Sequence, residues 1–191
     1  MQNKLIRISG TCGITAPIVG FSTILTSVFL SPWFRWTENA LSYLGVEGLS
    51  AVIFNSGLVF SGLLLFVFSM SLNHLLTEGV LSRIGRWLFS SSSIDLCLIG
   101  IFSENFGFIH FYVSILFFTP LPLSLLLMGA SLIKTRPYKK LGYLAVLSGL
   151  LAIITWLPRW RGGAISEFFS AFMGSSWCVA ADLYLIKRFV D

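Results

Sequence analysis

Hydrophobic residues in this chain come in long runs separated by short polar stretches, and the runs are uniformly apolar, as in Leu58–Met70 and Ile115–Met128. Six can be drawn, at about 9–30, 50–70, 82–102, 108–131, 140–157 and 164–186, each close to the roughly 20 helical residues that cross a hydrocarbon core. A membrane-spanning barrel needs short segments of alternating polarity, and none of these runs alternates. Backbone polar groups left unpaired in lipid are costly, so the pattern predicts an all-α, polytopic six-helix transmembrane bundle. The spans use most of the chain, and residues 1–191 are read as one transmembrane domain with no separate soluble unit.

Composition agrees: 55% of the 191 residues are hydrophobic and 11% are charged, too little polar surface for a soluble domain of this size. The first run follows Lys4 and Arg7 but has no Ala-x-Ala site behind it, so it is expected to stay as an uncleaved first span.

Charge then sets an expected orientation. Lys4, Arg7, Arg83, Arg86, Lys134, Arg136, Lys139, Lys140, Lys187 and Arg188 fall on one side of the six-span topology, ten of the thirteen basic residues. The positive-inside rule puts that side in the cytosol, which places both termini there and makes the chain a multi-pass cell-membrane protein. These basic residues flank spans without a recognition motif, so membrane lipids are the expected partners and nucleic acid is not.

The longest polar segment, SPWFRWTENALSYLGVEGL at Ser31–Leu49, joins spans 1 and 2 on the extracytosolic side. Its aromatic residues resemble an interfacial belt, and TENALSYL is expected to form a short helix that starts at Thr37 or Glu38 and ends at Gly45. Pro120 and Pro122 are expected to kink span 4 or free carbonyls within it. The small residues Ala16, Gly20, Gly57 and Gly62 mark helix interfaces. Asp182, near the cytosolic end of span 6, is expected to snorkel or pair with a nearby basic residue.

Candidate chemistry gathers on the extracytosolic side. Arg35, Glu38, Asn39, Glu47, Glu104, Asn105, His110, Arg159, Arg161 and Glu167 all lie at or near it. Asp95 lies within span 3, where a carboxyl group has to be neutralised, paired or hydrated, and is the leading intramembrane candidate. His110 and Ser114 are one helical turn apart and can share a face, with Glu104 at the preceding turn, so Asp95, Glu104, His110 and Ser114 are candidates for acid, base and hydroxyl roles. Arg35, Arg159 and Arg161 can grip a phosphate through paired guanidinium donors, and Glu38, Asn39 and Asn55 complete a candidate headgroup site. No HExxH, CxxC, glycine-rich phosphate loop or GxSxG is present, so neither a metal nor a cofactor is expected. Cys12, Cys97 and Cys178 are separated within spans and do not indicate a disulfide.

Three stretches carry a resemblance: WTENALSYLG at Trp36–Gly45, IFNSGLVFSG at Ile53–Gly62, and GIFSENFGFIH at Gly100–His110 followed by SILFF. In this order they resemble the family of six-span archaeal and bacterial membrane proteins known as domain of unknown function 998. The resemblance implies a six-helix integral membrane fold and a microbial, archaeal origin, and it implies no activity. Relatives often carry proline after the phenylalanine of the third stretch, where this chain has Ser103.

Four functional readings stay open at this level. The first is a protein that binds a lipid or other hydrophobic ligand in a pocket open to the extracytosolic half of the bilayer, floored by Asp95 and Asn55 and rimmed by Glu104, His110 and Arg35. The others are an intramembrane enzyme acting on a lipid-linked substrate, a small-solute transporter using the interrupted span 4, and an assembly subunit whose small-residue faces, including Gly57 and Gly62, bind a membrane-protein partner.

Overall fold

The computed structural model describes residues 2–76, 78–158 and 160–190, with side chains from position 11 to position 188 among them. Long apolar runs become α-helices because only internal hydrogen bonding satisfies their backbones in lipid. These are α1 (Gln2–Phe29), α2 (Gly48–Ser71), α3 (Val80–Ile101), α4 (Phe108–Phe118), α5 (Pro120–Ile133), α6 (Lys139–Ile154) and α7 (Ala164–Val190). Six spans are long and apolar enough to cross a membrane, with α4 and α5 together forming the fourth. The result is an all-α, six-helix membrane-spanning bundle whose spans begin and end close to the positions read from hydropathy.

The six spans form a closed ring in chain order. Each packs on the next, α3 packs on both α4 and α5, and α7 closes back onto α1. One end of the ring, here the terminal end, carries both chain termini with the α2–α3 and α5–α6 turns. The opposite loop end carries residues 30–47, 102–107 and 155–163.

Glycines decide how closely the ring is drawn together. A Cβ on Gly62 of α2 would lie 2.7 Å from the Ser93 carbonyl oxygen and 2.9 Å from the Cys97 nitrogen of α3. A Cβ on Gly142 of α6 would lie 2.6 Å from the Ile133 nitrogen of α5. Gly57 faces the Thr23 side chain of α1, and Ser61 donates a hydrogen bond to the Ala16 carbonyl across the same seam at 2.9 Å. The small-residue faces of α1 and α2 are therefore occupied within the chain, which removes the basis for reading Gly57 and Gly62 as a partner-binding surface.

The middle of the ring toward the terminal end is filled. Phe89 meets Phe68 and Trp177 edge to face, each pair with centroids 6.1 Å apart, beside the fully buried Met128. Asp182 departs from expectation here. It neither snorkels nor pairs with a basic residue among the described residues; it is fully buried and accepts a hydrogen bond from the Ile14 N–H of α1 at 2.9 Å. Pro17, three residues further along α1, has no N–H for the Gly13 carbonyl and loosens the helix in this turn. Replacing Asp182 by leucine leaves that contact unmade, and thermal unfolding of the purified protein is expected to show a loss of about 1–3 kcal/mol, with Asp182→Asn, which keeps an acceptor, losing less.

Span 4 is kinked at Thr119, which keeps helical dihedrals and donates its N–H to the Ile115 carbonyl at 3.0 Å. α4 stops at Phe118 and α5 starts at Pro120, because neither Pro120 nor Pro122 can donate to the carbonyl four residues earlier. The two halves then pack differently: α5 is held by α3 and α6, whereas α4 leans mainly on α3.

Candidate functional site

Residues 30–47 fold across the loop end as a lid. The Gly162 N–H donates to the Thr37 carbonyl and the Ala164 N–H to the Asn39 carbonyl, both at 3.0 Å. Those carbonyls are thus taken by the approach to α7, and the helical part of the lid is confined to a 3-10 turn at Leu41–Gly45 instead of starting at Thr37 or Glu38. Trp36, half-buried, packs edge to face on Phe34 and Phe168.

Glu167 makes the decisive lid contact. It lies in the first turn of α7, where an acidic side chain is favoured by the helix dipole, and its Oε2 accepts the Leu41 N–H at 2.7 Å. Its Oε1 has no hydrogen-bond partner among the described residues.

Beneath the lid is a cavity of about 100 Å³. Its walls are mostly apolar and come from every span but the fifth, including Phe21, Leu58, Leu96, Phe117, Leu121 and Ala171. Ser42, His110, Ser114 and Glu167 contribute polar groups near the lid, and Ser61, Ser175 and Cys178 contribute others deeper in. A second, larger hollow of about 600 Å³ lies outside α4, between it and α6, lined by Phe111, Ile115, Pro122, Leu126, Ile153 and Trp156 among others. Ser114, Phe118 and Glu167 line both hollows. Phe118 lies at this junction with its ring edge-on to Trp156, centroids 5.1 Å apart. The lateral hollow lies where α4 has no extensive packing against α6 or α7.

At the junction the structure brings together Glu104, His110 and Ser114. His110 is buried, with Nδ1 2.7 Å from the Phe102 carbonyl and Nε2 3.2 Å from a Glu104 carboxylate oxygen and 3.3 Å from Ser114 Oγ. A carbonyl only accepts, so the proton assigned to Nδ1 points at Phe102. Nε2 then faces Glu104 and Ser114 together. In a Ser-His-Asp relay the carboxylate and the nucleophile occupy opposite ring nitrogens, an order this cluster does not have.

The other candidates are placed elsewhere. Asp95 is half-buried, makes no hydrogen bond or ion pair among the described residues and does not line the cavity. Leu96 faces inward, and the next residue back is turned about 100° around a helix, which points Asp95 to the flank. Asn55 donates to the Gly45 carbonyl at 3.0 Å, joining α2 to the lid instead of flooring the cavity. Asn39 accepts the Arg35 N–H through Oδ1 at 2.7 Å and so shapes the lid. Arg35 and Glu38 form an exposed ion pair at 3.8 Å, away from the cavity rim, and Arg161 is exposed and also outside the lining. Arg159 lies outside the described residues. Glu167, Leu41 and Ser42 complete the site; Glu167 was placed among the loop-end polar residues by topology, yet no local pattern singled it out as a cavity residue.

Residues 14–183 match the family described as protein of unknown function (DUF998). The chain belongs to that family. No curated protein and no solved structure matches it. This DUF998 member is a multi-pass membrane protein. In this chain the Trp36–Gly45 stretch forms the lid, Asn55 ties the second stretch to it, and the third stretch supplies Glu104 and His110 at the junction of the two hollows. Asn105 of the third stretch reaches the lid as well, donating to the Val46 carbonyl at 2.9 Å.

Proposed function

We propose that this DUF998 protein binds one amphiphilic lipid or other hydrophobic molecule inside the ring of spans, with its head at the Ser114–Glu167 junction and its tail in the apolar cavity. The observation that carries this reading is that the internal cavity and the lateral hollow share Ser114, Phe118 and Glu167 as a common wall. Tight ligand sites are typically apolar with a few converging polar groups, and this lining has that composition. The hollow beside α4 serves as the way in from the bilayer, with Phe118 turning aside to admit the chain. If the basic residues of the terminal end lie in the cytosol, the site opens to the extracytosolic half of the membrane.

Native mass spectrometry of protein extracted gently from its host membrane tests this. One enriched amphiphile is expected at one copy per chain. Ala171→Trp puts an indole into a cavity of about 100 Å³, and this variant is expected to lose the molecule while keeping its unfolding transition. Ser175→Phe fills the cavity from another position in case the first variant misfolds. Only bulk lipid, unchanged in both variants, refutes the reading.

A further inference from the structure

We infer that the ligand's head donates hydrogen bonds and carries no negative charge: it is a hydroxyl or an amine, and not a phosphate or a carboxylate. This rests on the proposed cavity and names the class of molecule that it takes.

The chain as a whole is basic, with net charge +5, yet among the described residues no lysine or arginine lines either the cavity or the lateral hollow. Arg35 is turned to solvent and paired with Glu38. Arg161 is exposed beyond the lining. Among the described residues, the one side chain at the junction able to carry positive charge is His110, and both of its ring nitrogens are engaged: Nδ1 by the Phe102 carbonyl, Nε2 by Glu104 and Ser114. An anionic head brought to this point finds no free cation among the described residues, and an uncompensated charge in a low-dielectric site is strongly disfavoured.

What the junction offers instead are acceptors. Glu167 Oε1 is without a partner among the described residues, and the Ser114 oxygen faces the same space. Glu104, held 3.2 Å from His110, adds a second carboxylate behind it. A hydroxyl donates to this set directly, and an ammonium adds charge complementarity.

The test uses three probes of one chain length, hexadecylamine, hexadecanol and hexadecyl phosphate, titrated into the delipidated full-length protein and read by native mass spectrometry. Binding that Ala171→Trp abolishes is counted as cavity binding, which separates it from phosphate adhering to the basic terminal end. The amine and the alcohol are expected to bind at least about tenfold more tightly than the phosphate. In Glu167→Gln, which keeps an acceptor for Leu41, the advantage of the amine over the phosphate is expected to shrink by about tenfold while the alcohol holds within about twofold. Cavity binding of the phosphate as tight as that of the amine overturns the head assignment and leaves the cavity reading standing. If none of the three binds in a manner sensitive to Ala171→Trp, the cavity reading falls and this inference falls with it.

Discussion

Gly62→Leu is expected to prevent recovery of folded, monodisperse protein or to lower its stability by more than about 3 kcal/mol. The obstruction is backbone, the Ser93 carbonyl and the Cys97 nitrogen, at 2.7 and 2.9 Å from where a Cβ would stand, so no rotamer change relieves it. A leucine there has to push α2 from α3, and the α2–α3 seam carries Gly100 against the Asn55 carbonyl as well. Gly79, which has open space around it and an extended backbone, is the control. Gly79→Ala is expected to stay within about 0.5 kcal/mol of the parent in the same thermal unfolding measurement. Equal stability of the two variants would mean that α2 and α3 do not meet as described. The experiment also separates fold from assembly: a partner-binding role for Gly62 calls for a stable monomer that fails only to associate.

Glu167→Leu carries the second large effect. It leaves the Leu41 N–H without its acceptor, and Leu41 is a buried residue of the lid. A buried donor stripped of its partner costs about 1–3 kcal/mol, whereas Glu167→Gln keeps a carbonyl oxygen in position and is expected to lose less than about 1 kcal/mol. Hydrogen exchange locates the damage: in Glu167→Leu the amides of residues 37–45 are expected to exchange faster, and in Glu167→Gln to stay near the parent rate. Identical behaviour of leucine and glutamine would show that the lid is not held by this contact. Because the same residue lines both hollows, release of the lid is also expected to abolish retention of the proposed ligand.

The polar groups around the site show why its residues were only partly readable in the chain. His110 and Ser114 are four apart on one helix, so helical geometry alone puts them on a shared face, and Glu104 belongs to the same short turn. That local group is the part of the site that assembles in the structure as the spacing suggested. Asp95 and Asn55 were placed at the floor because they are polar and deep, but depth along a span says nothing about which way a side chain faces. A rotation of one residue decides between cavity and flank. Arg35, Arg159 and Arg161 were read as phosphate ligands from their paired guanidinium donors, and a residue type within a loop does not reveal where the loop folds. Glu167 had one signal in its favour, an acidic residue in the first turn of an apolar span directly behind Gly162 and Gly163. That signal becomes specific only when the lid is known to lie against those glycines, where a Cβ on Gly162 would strike the Asn39 backbone.

The sequence by itself determined the spans, their number and their helical character, because the cost of bare peptide groups in hydrocarbon acts on each segment separately. It also marked Pro120 and Pro122 as the place where the fourth span departs from a regular helix, whereas α1 runs through Pro17 without interruption. Tertiary structure decided the rest. The ring closes through α1 and α7, which lie at opposite ends of the chain, and the lid is pinned by a bond between Leu41 and Glu167. The cavity exists because six helices arranged in a ring leave a space that Phe68, Phe89 and Trp177 fill only toward the terminal end. Each of these depends on contacts between residues far apart in sequence, and hydropathy and spacing report only on neighbours.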